Sequence, residues 1–393
     1  MNSFVDLRQR MPRNLTHVHA LVDHRGVVAS PGAVLTQENS IIAVGTPQEI
    51  GIPENASLTQ IDGILTPSFV NTHTHLDLSG AGPVPARDSF SDWVVEVVSP
   101  IRKNKMAVSS AFALGEKLVR AGGSVIVGDI AGSKEAALMG QQSSLNVTSF
   151  YELIDSTNSI ANVLERIRSL SIELDLSPHA PYSCSPEVFK AAFASGRKVS
   201  THLCETLEEI EYAYSKGGAI AELENRLGVS SDKKKTWGTH PLEMVLQLAG
   251  GCKFIAAHLN YLEDEHISML ASSKCSLSYC PRASAYFGHK NHRWRELLNM
   301  GVNVSIGTDS LLCLDTPDRI SVIDELRFLF AEGNIDNQQL LKMGTINGAN
   351  ALGVNPGLVS LTEGETAGLL IFERAGDDPL VDLLASKKMP VWL

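Results

Sequence analysis

None of the six cysteines stands in a Cys-x-x-Cys pair, so neither a cysteine-clamped structural zinc nor a disulfide framework is expected. Isolated cysteines suit a reducing compartment, and a cytoplasmic protein is the expectation. The opening stretch MNSFVDLRQRMPRNL lacks a basic segment followed by an apolar one. No apolar run is long enough to span a bilayer either, so neither a signal peptide nor a membrane partner is expected. Positive charge is in deficit: 33 Lys and Arg face 44 Asp and Glu, for a net charge of −11 at pH 7. An acidic chain repels phosphate polymers, which argues against nucleic acid as a partner and leaves small molecules. The glycine-rich phosphate turn of doubly wound sheets is missing, as are low-complexity tracts and short fixed repeats.

What is present is length and apolar content. The 393 residues are 44% hydrophobic, enough for a large buried core. Residues 1–62 read as short strands with turns: AVLTQENSIIAVG alternates and breaks at Gly45, and Gly51 to Asn55 form a loop. The far end, GLVSLTEGETAGLLIFE, is similar. The two ends are therefore expected to share a small β-sandwich, from residues 1–62 and 355–393.

Residues 63–354 follow another rhythm. Eight short apolar runs recur, each followed by a longer amphipathic stretch: GILTPSFVNTHTH, SVIVGDI, NVTSFYELI, ELDLSPHAPY, KVSTHLCE, CKFIAAHLNY, CSLSYCPRA and NVSIGTDS. Helical segments between them, such as SPEVFKAAFASG and HPLEMVLQLAGG, start before Pro and stop at Gly. Eight β-then-α units predict an α/β chain with a parallel (β/α)8 TIM barrel.

Barrel enzymes carry their chemistry at the C-terminal ends of strands. There the sequence places His73 and His75 on strand one, His179 on strand four, His202 with Glu205 on strand five, His258 on strand six and Asp309 on strand eight. Side chains two apart on a strand share a face, so His73 and His75 can grip one ion. His202 and Asp309 would complete a nitrogen and oxygen set with room for water, the pattern of a catalytic rather than a structural metal. His17 and His19 form a second His-x-His pair with no such partners, and packing is the reading there. Glu205 also precedes TLEEIEYAYSKG, where a carboxylate suits a helix N-terminus. Trp93 can stack on a ring or anchor a helix, and Tyr182 can hold His179. Arg282 is a candidate contact for an anionic substrate group. The loop FGHKNHRW carries His289 and His292, whose role the sequence leaves open.

Together PSFVNTHTHLDLS, SPHAPYSCS, STHLCET, AAHLNY and SIGTDS resemble the amidohydrolase superfamily, most closely its nucleoside deaminase and chlorohydrolase-like branch. The likeness covers nearly the whole chain, including the composite β domain. It departs at GETAGLLIF, where Gly368 stands in place of an Asp usual in that turn. The resemblance implies that His73, His75, His202 and Asp309 bind one divalent ion, zinc first, with iron or manganese as alternatives. It implies that Glu205 shuttles protons, that His258 orients the attacking water and that His179, with Tyr182, Arg282 and Trp93 nearby, meets substrate. Two-metal relatives carry a lysine on strand four, and ELDLSPHAPY has none. The implied activity is hydrolytic deamination of an adenine-type nucleoside such as adenosine, S-adenosylhomocysteine or aminofutalosine. Asp309 would take a proton in that reaction. Loss of chloride or an alkylamine is the alternative, and a non-enzymatic scaffold would require missing ligands. A homo-oligomer is compatible with the sequence.

Overall fold

The computed structural model describes residues 12–104, 108–156, 159–170, 174–229 and 237–393. The chain forms two compact units. One takes residues up to Val70, Gly122–Val125 and Val322–Leu393; the other takes Asn71–Ala121 and Ile126–Ser321.

The second unit carries the barrel expected from the eight apolar runs, apart from the first two residues of each of its first two strands. Its strands are Phe69–Thr74, Ser124–Ala131, Asn146–Leu153, Asp175–Pro178, Ser200–Leu203, Phe254–His258, Cys275–Tyr279 and Asn303–Ile306. They hydrogen-bond in sequence order as two groups of four. Parallel bridges Leu176 to Val199 and Thr74 to Asp309 join the groups at both seams and close the ring. The second strand is buried at every residue, as a parallel strand covered on both faces must be. Outside the ring lie the helices read from the sequence. Pro186–Ala194 begins with Pro and is followed by left-handed Gly196; Pro241–Ala249 is capped by His240 and stops at left-handed Gly250.

Polar side chains fill part of the barrel interior, and they are paired. The Thr72 hydroxyl lies 2.6 Å from Ser278 Oγ and 2.9 Å from the Ile306 carbonyl, while Asn71 donates to Thr308 Oγ1 at 2.8 Å. This network ties the first strand to the seventh and eighth. Gly307 permits the same closeness, since a Cβ there would stand 2.7 Å from His73 Cβ and 2.6 Å from Ser278 Oγ.

The other unit is built from both chain ends around one hydrogen-bonded sheet. Strands Arg13–Asp23, Gly26–Ala29, Gly32–Gln37, Ser40–Gly45 and Ala56–Pro67 are joined by Gly364–Glu365, Leu369–Glu373 and Val391–Trp392. The pairing of Leu369–Glu373 with Ala56–Pro67 brings the two ends together. Val18, Leu21, Val34, Leu65 and Ile371 form its apolar core, each such side chain contributing about 1.5–3 kcal/mol on burial. Gly368 has φ +150°, and a Cβ there would meet the Trp392 ring at 2.6 Å. Close packing thus accounts for glycine where the family pattern has Asp. Among the described residues, no helix is long and apolar enough to cross a membrane.

Candidate active site

His73 is the last residue but one of the first barrel strand and His75 lies just beyond it; both are buried. Alternation brings their rings together, with centroids 5.1 Å apart. His202, on the fifth strand, brings its ring centroid to 4.8 Å from His73 and 5.3 Å from His75. One ligand atom from each of the three imidazoles lies within 4.8 Å of the others. Glu205, His258 and Asp309 make a second group of the same kind. The two groups meet where Asp309 Oδ1 stands 3.4 Å from His75 Nε2 and where the His202 and His258 rings stack at 5.5 Å.

The donor chemistry fits a metal ion. His202 Nδ1 lies 2.9 Å from the His179 carbonyl, which can only accept. That nitrogen therefore carries the proton, and the Nε2 lone pair points inward. His202 Nε2 and His75 Nε2 are 3.3 Å apart. Two nitrogens about 2.0–2.1 Å from one tetrahedral ion stand about 3.3–3.4 Å apart. Both ring nitrogens of His73, Nδ1 of His75 and Nε2 of His258 are buried without a hydrogen-bond partner. Buried polar atoms are nearly always satisfied, and a metal ion held with His75 and His202 would satisfy one nitrogen of His73. Burial, reinforced by neighbouring imidazoles, holds His73, His75 and His258 well below the ordinary histidine range and brings His202 down to about 4. The rings are neutral, the form that ligates.

The second group is set on bent backbone. Cys204, His258, Leu259 and Asp309 have φ of +51°, +74°, +51° and +58°. Each left-handed non-glycine residue costs about 1–2 kcal/mol. Side chains and neighbouring strands hold these turns. Glu209 accepts from the amides of Cys204 and Glu205, both at 3.0 Å. Asn260 donates to the Glu205 carbonyl at 2.9 Å, and Ser284 donates to Asn260 at 2.8 Å. The amides of Thr308 and Asp309 both reach the His73 carbonyl, at 2.9 and 3.0 Å. The helix after strand five is capped by the Thr206 hydroxyl, so the Glu205 carboxylate is left to face the cavity.

Burial pushes the Glu205 carboxyl well above its usual range, with nearby Asp309 adding to the effect, and lifts Asp309 to about 6. His258 Nε2 stands 3.7 Å from Glu205 Oε1. The arrangement is an acid, an imidazole and a carboxylate side by side, able to give and take protons across a short gap.

Above this floor lies a cavity of about 340 Å³, within the size range of small-molecule sites. His75, His202, Glu205 and Asp309 line its base; Phe90, Trp93, Val94, Ile220 and Leu223 are among its apolar walls. Trp93 does two things at once: it lines the cavity and packs edge-on against Phe287 at 5.1 Å. His179 and Tyr182 also line it, edge to face at 5.5 Å. His179 is held by Ser183 Oγ at 2.6 Å and faces Glu152 at 4.0 Å.

Arg282 is not among the lining residues. Its guanidinium turns to Asp315 and Thr316. His289 and His292 are also absent from the lining; they bond Tyr261 and the His258 carbonyl instead. His17 and His19 lie half-buried on a sheet strand, and no metal-type cluster among the described residues includes them.

Five contributors escaped the sequence reading. Glu152 lies at the end of the third strand, and the strand-end rule applied there would have found it. Thr206-x-x-Glu209 has the capping-box spacing, but Glu209 reaches back past the cap to residues 204 and 205. Ser183, Asn260 and Ser284 carry no local signal.

A sequence profile of the amidohydrolase family matches residues 64–389. Among curated relatives is a 5-methylthioadenosine/S-adenosylhomocysteine deaminase of Pyrococcus abyssi, 25% identical over 370 residues, covering 86% of this chain and 80% of that protein. Among solved structures, Helicobacter pylori aminofutalosine deaminase superposes with a TM-score of 0.77 at 21% identity, over 96% of this chain and 97% of its own. A zinc-bound adenosine deaminase from Xanthomonas campestris superposes with a TM-score of 0.71 at 20% identity, over 94% and 88%. At these identities the two structural likenesses speak for the fold.

Proposed function

The chain belongs to the amidohydrolase family, and from that premise we propose that it is a metal-dependent deaminase of an adenine-type nucleoside. The observation that carries this reading is the pairing of three converging imidazoles with Glu205, His258 and Asp309, of which His75, His202, Glu205 and Asp309 line the base of one apolar cavity. His73, His75, His202 and Asp309 would hold a single divalent ion, with zinc the first choice and iron or manganese suited to the same donors. Bound there, such an ion lowers the pKa of water from about 15.7 towards about 7 and so supplies a nucleophile at neutral pH.

The remaining work falls to the side chains. Glu205, kept protonated by burial, donates to a ring nitrogen and makes the adjacent carbon electrophilic. Neutral His258 accepts a hydrogen bond from the attacking water and aligns it. Asp309 takes a proton as the carbon–oxygen bond forms and returns it to the exocyclic nitrogen. The carbon–nitrogen bond then breaks, ammonia leaves and the ring retains the proton from Glu205. Water's second proton restores Glu205, so atoms and charge balance. Trp93 and Phe90 offer flat apolar faces to a heterocycle, and His179 beside Glu152 offers polar contacts further out. The volume of the site suits a small molecule. The six free cysteines support a reducing, cytoplasmic setting.

The test is ammonia release by zinc-loaded and chelator-stripped protein from adenosine, 5-methylthioadenosine, S-adenosylhomocysteine and aminofutalosine, with a chlorotriazine as the contrasting substrate. Turnover of at least one nucleoside, lost on stripping and restored by zinc, is expected. Chloride release with no nucleoside turned over would move the assignment to the chlorohydrolase alternative.

A further inference from the structure

His258 occupies an uncommon backbone state. Its φ is +74°, and the Leu259 amide bonds the Ala257 carbonyl across it at 3.2 Å. That is a γ-turn of the positive-φ kind, the rare and strained form. A strained turn persists only where its surroundings over-determine it. The Leu259 amide also reaches the Leu203 carbonyl at 2.9 Å, which secures one side. The other side is the His258 carbonyl, and the group that meets it is His292, with Nε2 at 2.7 Å.

The tautomer of His292 follows from its partners. The Trp294 amide, which can only donate, lies 2.9 Å from His292 Nδ1. Nδ1 is therefore the acceptor, and Nε2 of the neutral ring carries the hydrogen given to the His258 carbonyl. The ring plane is fixed by Tyr279, stacked at 3.9 Å and 30°. Every degree of freedom of His292 is thus committed, and its outcome is one hydrogen bond to the main chain of His258. The ring does not line the cavity.

We propose that His292 is a positioning residue. It clamps the His258 main chain in its left-handed turn and so aims the His258 imidazole between Glu205 and His73. This rests on the deaminase reading only for its kinetic test.

Two conservative substitutions separate the two hydrogen bonds. His292→Asn keeps an acceptor at the Nδ1 place, since an Asn side chain readily takes the amide two residues on, but it cannot reach the His258 carbonyl. His292→Gln places an amide N–H at the Nε2 position and keeps the donor. With zinc-loaded full-length protein, His292→Asn and His292→Phe should lower kcat by about 10–100-fold, as loss of a supporting hydrogen bond does around metal sites. KM, metal content and Tm should change little, and His292→Gln should recover much of the rate. The reverse order, Asn restoring activity and Gln failing, would mean that His292 only shapes its own loop and would overturn the proposal. A crystal structure of His292→Asn supplies a readout independent of turnover. His258 is expected to leave positive φ; an unmoved His258 refutes the clamp. Absence of turnover in the wild type would count against the deaminase reading alone, leaving that structure to judge His292.

Discussion

The two halves of the site are built by different means. His73, His75 and His202 sit at the ends of regular strands, and period-two alternation alone turns them to one point. Glu205 and Asp309 sit in the turns beyond and His258 is the last residue of its strand, all at or beside residues with positive φ. Their aim depends on distant supports: Glu209, Asn260, His292 and the His73 carbonyl. Strand geometry suffices to gather ligands, which need only converge. Proton transfer, the role proposed for the second half, requires a tighter fit, and these residues stand at or beside strained turns.

The largest effect should come from breaking the strand-built half. Alanine at both His73 and His75 is expected to remove the metal and reduce turnover to background, read by elemental analysis and ammonia release on the same samples. The same change at His17 and His19 should alter neither quantity. Metal retained by the first variant would show that alternation does not define the ligand set.

Removing Glu205 alone from the turn-built half should leave the metal in place. Glu205→Gln is expected to bind about one ion per chain while kcat falls by about 10²–10⁴-fold, the usual weight of a general acid. Loss of the ion together with activity would merge the two halves into one.

The smallest effect concerns the supports. Burial lifts the Glu209 carboxyl to about 7, against an ordinary value of 4.5. Its folded pKa is raised, so the stability linked to its proton is complete below about pH 4.5 and is lost as pH climbs through about 7. Glu209→Gln should flatten that part of the profile of Tm against pH, while losing one of the two acceptors for the amides of Cys204 and Glu205. A modest drop in kcat with unchanged metal content is expected. An unaltered pH profile would place the titration elsewhere.

Much of this was legible in the linear text because its causes are local. Eight apolar runs punctuated by helix starts and stops name a barrel, and His73 and His75 converge because they stand two apart at one strand end. The partner of Arg282 was not legible, because a cation one residue after Pro281 says nothing about which carboxylate will claim it; Asp315, 33 residues on, does so. Gly368 looked like a departure from the family pattern, and the Trp392 ring against it supplies the reason.

The sequence by itself therefore determined the barrel, the strand ends and the residues able to ligate, because period, punctuation and residue type are properties of neighbours along the chain. Only the tertiary structure decided which carboxyl burial pushes above its ordinary range, which imidazole nitrogen faces inward and which turn meets His292. Those depend on burial and on hydrogen bonds between residues as far apart as His258 and His292, and no local pattern encodes them.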